Sequence, residues 1–361
     1  MSDQRAEAFL SQCAAPLCEW YQANKRSFPW RETPQPYRVW LSEIMLQQTR
    51  IEAALPYYDR FLQTLPTIKA LAEADEAVIL KLWEGLGYYS RVRNMQKAAR
   101  IIVEQFDATF PTTFKEILSL PGIGEYTAGA IASICFGEAV PAVDGNVLRV
   151  LARLCNDRTD VMSPLAKKTA VKRLQPMLEN VSSPGDFNQG IMELGERVCL
   201  PNGAPLCEQC PLSEWCMARK AGTQAELPVR IAKVKRRVEE RSVVLLFSNE
   251  PKPRLLLCKR PDKGLLAGMW ELPSFPKPLT ETEVLEELQK RGVETSDFLE
   301  LCKGKHIFSH IEWRMFGYAF SVPLFAAPKD GVWVTKEELN EAYALPSAFR
   351  PFASLIDKYL I

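Results

Sequence analysis

Histidine is almost missing from this sequence. Two occur in 361 residues, both in the stretch His306–His310. A Ser-His-Asp hydrolase is therefore untenable in the first domain. An uninterrupted run of roughly eighteen apolar residues is missing too, which excludes a membrane-spanning helix. Neither sign of charge dominates. Lys and Arg number 45 against 44 Asp and Glu, a net charge of +1, which is a poor bulk balance for gripping phosphates and puts the burden on local positive surface. The start, Met1-Ser-Asp-Gln-Arg-Ala-Glu7, has neither the apolar centre of a signal peptide nor the acid-poor make-up of a transit peptide. A soluble protein of the bacterial cytoplasm is the expectation. No internal repeat or low-complexity tract is visible.

The charge that is present is uneven. Arg91, Arg93, Lys97 and Arg100 fall together, as do Lys167, Lys168, Lys172 and Arg173, and then Arg230, Lys233, Lys235, Arg236 and Arg237. Such runs are usually solvated faces, so they support phosphate binding only weakly. Ten cysteines need a reason other than disulfides, which a reducing compartment disfavours. Cys13, Cys18, Cys135, Cys155, Cys258 and Cys302 lie scattered in apolar runs and read as small core residues. Cys199, Cys207, Cys210 and Cys216 crowd into one stretch broken by Pro201, Gly203, Pro205 and Pro211, which reads as a metal site. Structural zinc usually shows paired C-x2-C knuckles, and only one such pair is present. The ferredoxin run does not match either. Spacing alone leaves zinc and iron–sulfur open.

The length predicts two or three domains. The first 225 residues read as helices: Ala6–Tyr21, Tyr37–Thr49, Glu76–Leu82 with Asp75 as N-cap, Arg91–Phe106, and a helix opened by Ser163-Pro164 through a cap and an N1 proline. Residues 226–241 read as a basic linker. Residues 242–361 turn to strand patterns over Val243–Phe247, Leu255–Lys259, Gly268–Leu272, Lys305–Phe308, Arg314–Val322 and Val332–Val334, with helices Glu281–Arg291 and Ala348–Tyr359 between them. The fold class is multidomain, an all-α region followed by an α+β domain.

The most telling stretch is Leu120-Pro-Gly-Ile-Gly-Glu-Tyr-Thr-Ala-Gly-Ala-Ile131, with Asp144-Gly-Asn146 beyond it. Pro121, Gly122 and Gly124 break the chain between two apolar-periodic segments. Glycines there allow φ > 0 and leave no side chain to block a ligand. The second segment then begins with exposed amides, a ready anion site that can hold a nucleic-acid phosphate without reading sequence. By itself the hairpin is equally a plain turn between helices. Upstream, helical spacing puts Glu43 on one face with Val39, Trp40, Leu46 and Gln47. A carboxylate so placed has its pKa raised, as a general acid near neutral pH requires. The same glutamate could also sit at the polar margin of an amphipathic helix.

Taken together, hairpin and Asp144 resemble the helix-hairpin-helix DNA glycosylases. The endonuclease III-like members carry a Schiff-base lysine two residues after the last hairpin glycine. Here that position is Tyr126, and a phenol cannot form an imine. The resemblance is therefore to the adenine-removing MutY type, which implies excision of adenine opposite 8-oxoguanine or G in double-stranded DNA by a monomer associated with the nucleoid. It implies that Glu43 is the acid, that Asp144 stabilises the oxocarbenium ion or forms a transient adduct, and that Asn146 and Tyr126 orient Asp144. Trp30 and Arg31 would line the base pocket, and Gly122 and Gly124 would hold the phosphate. In Met-Leu-Gln-Gln-Thr and Gly-Leu-Gly-Tyr-Tyr-Ser-Arg, Gln48 and Tyr88, with Thr49 and Leu86 beside them, would wedge into the stack as the adenine flips out. Outside that motif, Tyr88 reads as a core aromatic at a helix end.

The family carries a [4Fe–4S] cluster at C-x6-C-x2-C-x5-C. This chain has C-x7-C-x2-C-x5-C, and Asn202-Gly203-Ala204-Pro205 is turn chemistry that can absorb the extra residue. The cluster ligands implied are Cys199, Cys207, Cys210 and Cys216. The second domain, with Gly264-Leu-Leu-Ala-Gly-Met-Trp-Glu-Leu-Pro273, resembles the Nudix-like domain of MutY proteins. Its helix Val284-Leu-Glu-Glu-Leu-Gln-Lys-Arg-Gly292 lacks the full glutamate set for Mg²⁺, so a lesion reader is expected there, with Phe308, Ser309 and His310 contacting 8-oxoguanine. Two alternatives stand beside this reading: a pyrimidine-damage glycosylase of the endonuclease III type, and a non-catalytic iron–sulfur protein that binds damaged DNA.

Overall fold

The computed structural model describes residues 9–231 and 236–361. The chain divides into two compact units, Met1–Glu73 with Asn94–Ala232, and Ala74–Arg93 with Lys233–Ile361. The second unit thus takes in a segment that the sequence assigned to the helical region. Lys233 and Lys235 of the expected basic linker lie outside the described residues, as does the start of the expected helix Ala6–Tyr21.

The first unit is helical. Its core gathers Leu17, Val147, Val150, Leu151, Leu174, Phe187, Ile191 and Leu194 from the helices Ala14–Asn24, Gly145–Leu154, Pro164–Leu178 and Pro184–Arg197. The helix Glu125–Phe136 buries Thr127 through Ser133 without a break. Apolar on all sides, it can only be central. Gly129 is required there, because a Cβ would lie 2.5 Å from the Pro141 carbonyl oxygen. The expected helix Tyr37–Thr49 is shorter, Pro36–Met45. Gln48 takes φ of 62°, a left-handed conformation no helix accommodates. Ser163 does cap its helix, accepting from the Ala166 N–H.

In the second unit, seven strands form one mixed sheet, β1 (Arg237–Ser248), β2 (Leu255–Lys259), β3 (Trp270–Glu271), β4 (Ser274–Phe275), β5 (Asp297–Ile307), β6 (Ile311–Val322) and β7 (Gly331–Val334). The order is β3-β2-β1-β6-β5, with β4 added to β1 and β7 to β2. β1 and β6 run parallel, in register from Arg237↔Ile311 to Ser248↔Val322. Residues 237–241, expected as linker, are therefore strand. Their polar side chains hid a backbone that pairs with β6. Along β1, Val243, Leu245 and Phe247 enter one core with Trp313 and Phe352, while Val244 and Leu246 enter another with Val284 and Leu288. Both faces of the sheet are covered, one by the helix Glu281–Lys290 and the other by Ala353–Tyr359.

Candidate active site

The hairpin forms as the sequence requires. Thr113 and Glu116 close a capping box on the helix Phe114–Leu118, the turn follows, and Gly124 opens Glu125–Phe136. Only Gly122 is left-handed, at φ of 77°. Gly124 is extended, at φ of −96°, so its glycine serves space instead: nothing lies within 4 Å of the Cβ it lacks. No side chain caps the helix it opens, leaving the first-turn amides for an anion.

Behind the hairpin lies a cavity of about 510 Å³. Glu43 and Asp144 both line it, brought there by different helices, together with Trp30, Arg31, Gln48, Thr49, Tyr126 and Asn146. The Tyr126 hydroxyl donates to Glu43 Oε2 at 2.7 Å and lies 3.6 Å from the Met192 sulfur. The phenol expected to orient Asp144 is thus hydrogen-bonded to Glu43. Burial pushes Glu43 up to about 7; the Tyr126 hydrogen bond opposes that rise and the Asp144 charge adds to it. Burial, together with the charges of Glu43 and Asp144, raises the Tyr126 phenol well above its ordinary value, so it remains a donor.

Asp144 is the N-cap of Gly145–Leu154. Its Oδ1 accepts from the Val147 N–H at 2.7 Å, and its Oδ2 from the Asn146 amide at 2.8 Å. Burial still moves Asp144 above the usual aspartate range, against these hydrogen bonds and the Arg149 charge. Arg149 in turn donates to Asn146 Oδ1 at 2.8 Å, to the Gly195 carbonyl at 2.7 Å and to the Cys199 carbonyl at 2.8 Å.

Trp30 is buried, stacked on Phe28 and edge-on to Tyr58. Arg31 donates to Glu193 at 2.9 Å. Glu193 also pairs with Arg26 at 2.6 Å and is almost fully buried, and these arginines hold its carboxyl below the usual range despite burial. Glu193, Arg149 and Arg153 were missed in the sequence. Most of their partners are remote in the chain, and only an acid or base on an otherwise inward helical face could have signalled them.

The residues expected to wedge into DNA are exposed and strained. Gln48 and Tyr88 are non-glycine residues with φ of 62° and 48°, and such strain clusters at ligand contacts. Tyr88 is 47% exposed, so it is not a core aromatic; Tyr89 is the buried one. Within the second unit, Tyr88 and Ser309 share a hydrogen bond of 2.6 Å between their hydroxyls. They line a cavity of about 460 Å³ with Leu86, Phe308 and His310. Phe308 is wedged edge-on between His306 and Trp313, which fixes the backbone carrying Ser309. The first basic cluster is largely spent on the protein itself. Arg91 donates to the carbonyls of Leu86 and Gly87, Arg93 to that of Ala267 and Arg100 to that of Ala72. Arg173 pairs with Asp157 and Lys167 with Glu125.

Cys199, Cys207, Cys210 and Cys216 line one small cavity of about 30 Å³, and none is in a disulfide. Among the described residues no three His, Cys, Asp or Glu side chains are grouped to hold a single metal ion. The four thiols border the same small space. The extra residue of the first spacer sits in an exposed turn over residues 201–204, with Gly203 at φ of 77°, and the Leu206 N–H returns to the Val198 carbonyl. Arg153 donates to the Cys199 sulfur at 3.2 Å.

Comparison with known proteins places the chain in a family. Residues 41–176 match the family described as HhH-GPD superfamily base excision DNA repair protein, and residues 243–355 match the NUDIX domain. The chain is 35% identical to the adenine DNA glycosylase of Homo sapiens over 93% of this chain and 73% of that one. It is 32% identical to the adenine DNA glycosylase of Buchnera aphidicola subsp. Schizaphis graminum over 88% and 91%. Among solved structures, a thermostable thymine-DNA glycosylase superposes with a TM-score of 0.54 at 25% identity, covering 61% of this chain and all of that one. Endonuclease III in a non-covalent DNA complex superposes at 0.50 and 20% identity, covering 62% and 99%, and shows the shared fold.

Proposed function

Since this chain belongs to the adenine DNA glycosylase family, we propose that its substrate is adenine paired with 8-oxoguanine or G in duplex DNA, and that Glu43 and Asp144 divide the excision chemistry. Breaking an N-glycosidic bond requires a better leaving group and a stabilised sugar cation. Glu43, poised near neutrality, donates its proton to N7 of the flipped purine. Asp144, once ionised, faces the developing oxocarbenium ion or bonds transiently to C1′, the division of labour of retaining glycosidases. Glu43, now ionised, then takes a proton from water as it attacks the sugar. Asn146 holds Asp144 in orientation and Tyr126 holds Glu43. The observation that carries this reading is the Tyr126–Glu43 hydrogen bond of 2.7 Å, beside Asp144 in one cavity.

Partner-base reading falls to Tyr88, Ser309 and His310, with Gln48 filling the vacated stack. A hydroxyl and an imidazole suit the hydrogen pattern that oxidation changes at N7. We assign a [4Fe–4S] cluster to Cys199, Cys207, Cys210 and Cys216; it would order the loop they lie on. The enzyme acts as a monomer in the bacterial cytoplasm. Single-turnover base release from duplexes with A opposite 8-oxoguanine, G, C or T tests the whole reading. Excision should be fastest opposite 8-oxoguanine, next opposite G, and slow opposite C or T. Equal rates opposite all four partners would reject it.

A further inference from the structure

The short segment Ala74–Arg93 belongs to the second unit although it precedes it by more than a hundred positions in the chain. Three polar side chains tie it there. Lys81 Nζ donates to the carbonyls of Leu339 at 2.8 Å and Tyr343 at 3.4 Å, and pairs with Glu84 at 2.6 Å. Glu84 Oε1 accepts from the Leu345 N–H at 2.7 Å. At the other end, Arg93 donates to the Ala267 carbonyl at 2.6 Å and to Glu76 at 2.6 Å. Tyr88 lies between these two attachments, on a stretch with Gly85 and Gly87 at φ of 101° and 70°, and it meets Ser309 at 2.6 Å. A glycine-flanked, strained residue does not hold a hydroxyl-to-hydroxyl contact unaided.

We infer that Lys81, Glu84 and Arg93 are positioning residues for partner-base discrimination. They fasten both ends of the Tyr88 segment to the lobe that carries Ser309, so that the two hydroxyls meet the partner base as one preset unit. The bonds are charge-assisted and end mostly on backbone groups, so they fix the main chain. The inference rests on the reading that Ser309 senses the oxidised partner.

The test is single-turnover excision by the full-length chain on A:8-oxoguanine and A:G duplexes, with Glu84→Ala plus Arg93→Ala, and separately with Ser309→Ala. The clamp variant should lose about tenfold in preference, the loss expected for one charged hydrogen bond, with its A:G rate within about threefold of wild type. Combined with Ser309→Ala it should lose little more than Ser309→Ala alone, since coupled residues are not additive. Glu84→Gln, which keeps an acceptor for the Leu345 amide, should restore much of the preference. If the clamp variant keeps full preference while Ser309→Ala loses it, the positioning role is wrong and the Ser309 reading stands. If Ser309→Ala keeps the preference, that reading falls and takes the inference with it. Equal loss on both duplexes means general destabilisation and also overturns the inference.

Discussion

At the scale of single residues, the site is governed by two carboxylates that burial makes hard to ionise. Glu43 rises to about 7, and Asp144 rises above its ordinary range. They interact, so the measured pKa values belong to the pair. Excision at saturating enzyme should fall as pH climbs through about 7, because the proton Glu43 must give is lost; it should fall again in acid, where Asp144 takes one up. A flat profile between pH 5 and 9 would sink the assignment. Glu43→Gln and Asp144→Asn should each slow excision by about 10²–10⁴-fold with duplex binding kept. In Glu43→Gln, stability should move opposite to excision. The folded protein holds Glu43's proton more tightly than the unfolded chain does. Stability is therefore greatest below the unfolded pKa of about 4.5 and declines as pH rises toward the folded value of about 7. At pH 8, Glu43→Gln should gain on the order of 1–3 kcal/mol over wild type in urea unfolding. A destabilised Gln variant would show that the ionised form is better solvated than its setting implies.

At the scale of elements, the helix Gly145–Leu154 has Asp144 and Asn146 at one end and the thiol loop at the other. Arg149 joins Asn146 to the Cys199 carbonyl, and Arg153 reaches the Cys199 sulfur. Arg149→Met should cost about 2–4 kcal/mol, since several buried acceptors lose a charged donor. It should also slow excision at saturating DNA, where a merely destabilised but folded enzyme would not. Cys199→Ser should lower iron content below the roughly four irons per chain expected of the cluster and weaken DNA binding more than it slows chemistry. A colourless wild-type protein with one bound zinc would overturn the cluster assignment. The hairpin, the cysteine loop and the Ser163 cap were legible in the sequence because each rests on local chemistry: glycine, proline and a capping hydroxyl. The Arg149 and Glu193 networks were not, since a charged residue shows its burial only when partners from remote helices arrive. Residues 237–241 misled for the reverse reason, being polar side chains on a paired backbone.

At the scale of the molecule, the proposed function divides excision and partner reading between the two units. A chain ending at Ala225 should still remove adenine from A:G but lose on the order of ten- to a hundredfold in preference for A:8-oxoguanine. It should also melt lower than the full chain, because Lys81, Glu84 and Arg93 lose the carbonyls and amide that hold them. Undiminished preference in the truncated chain would mean that the second unit reads nothing.

That second unit is assembled from two pieces of chain separated by the whole stretch Asn94–Ala232. During synthesis at roughly 5–20 residues per second, the first piece leaves the ribosome many seconds before the sheet it belongs to exists. Lys81, Glu84 and Arg93 spend that interval without the carbonyls and amide they bind in the finished protein. The nascent chain therefore carries this segment unpartnered through most of its own translation, and the demand for chaperones should last until the sheet is complete.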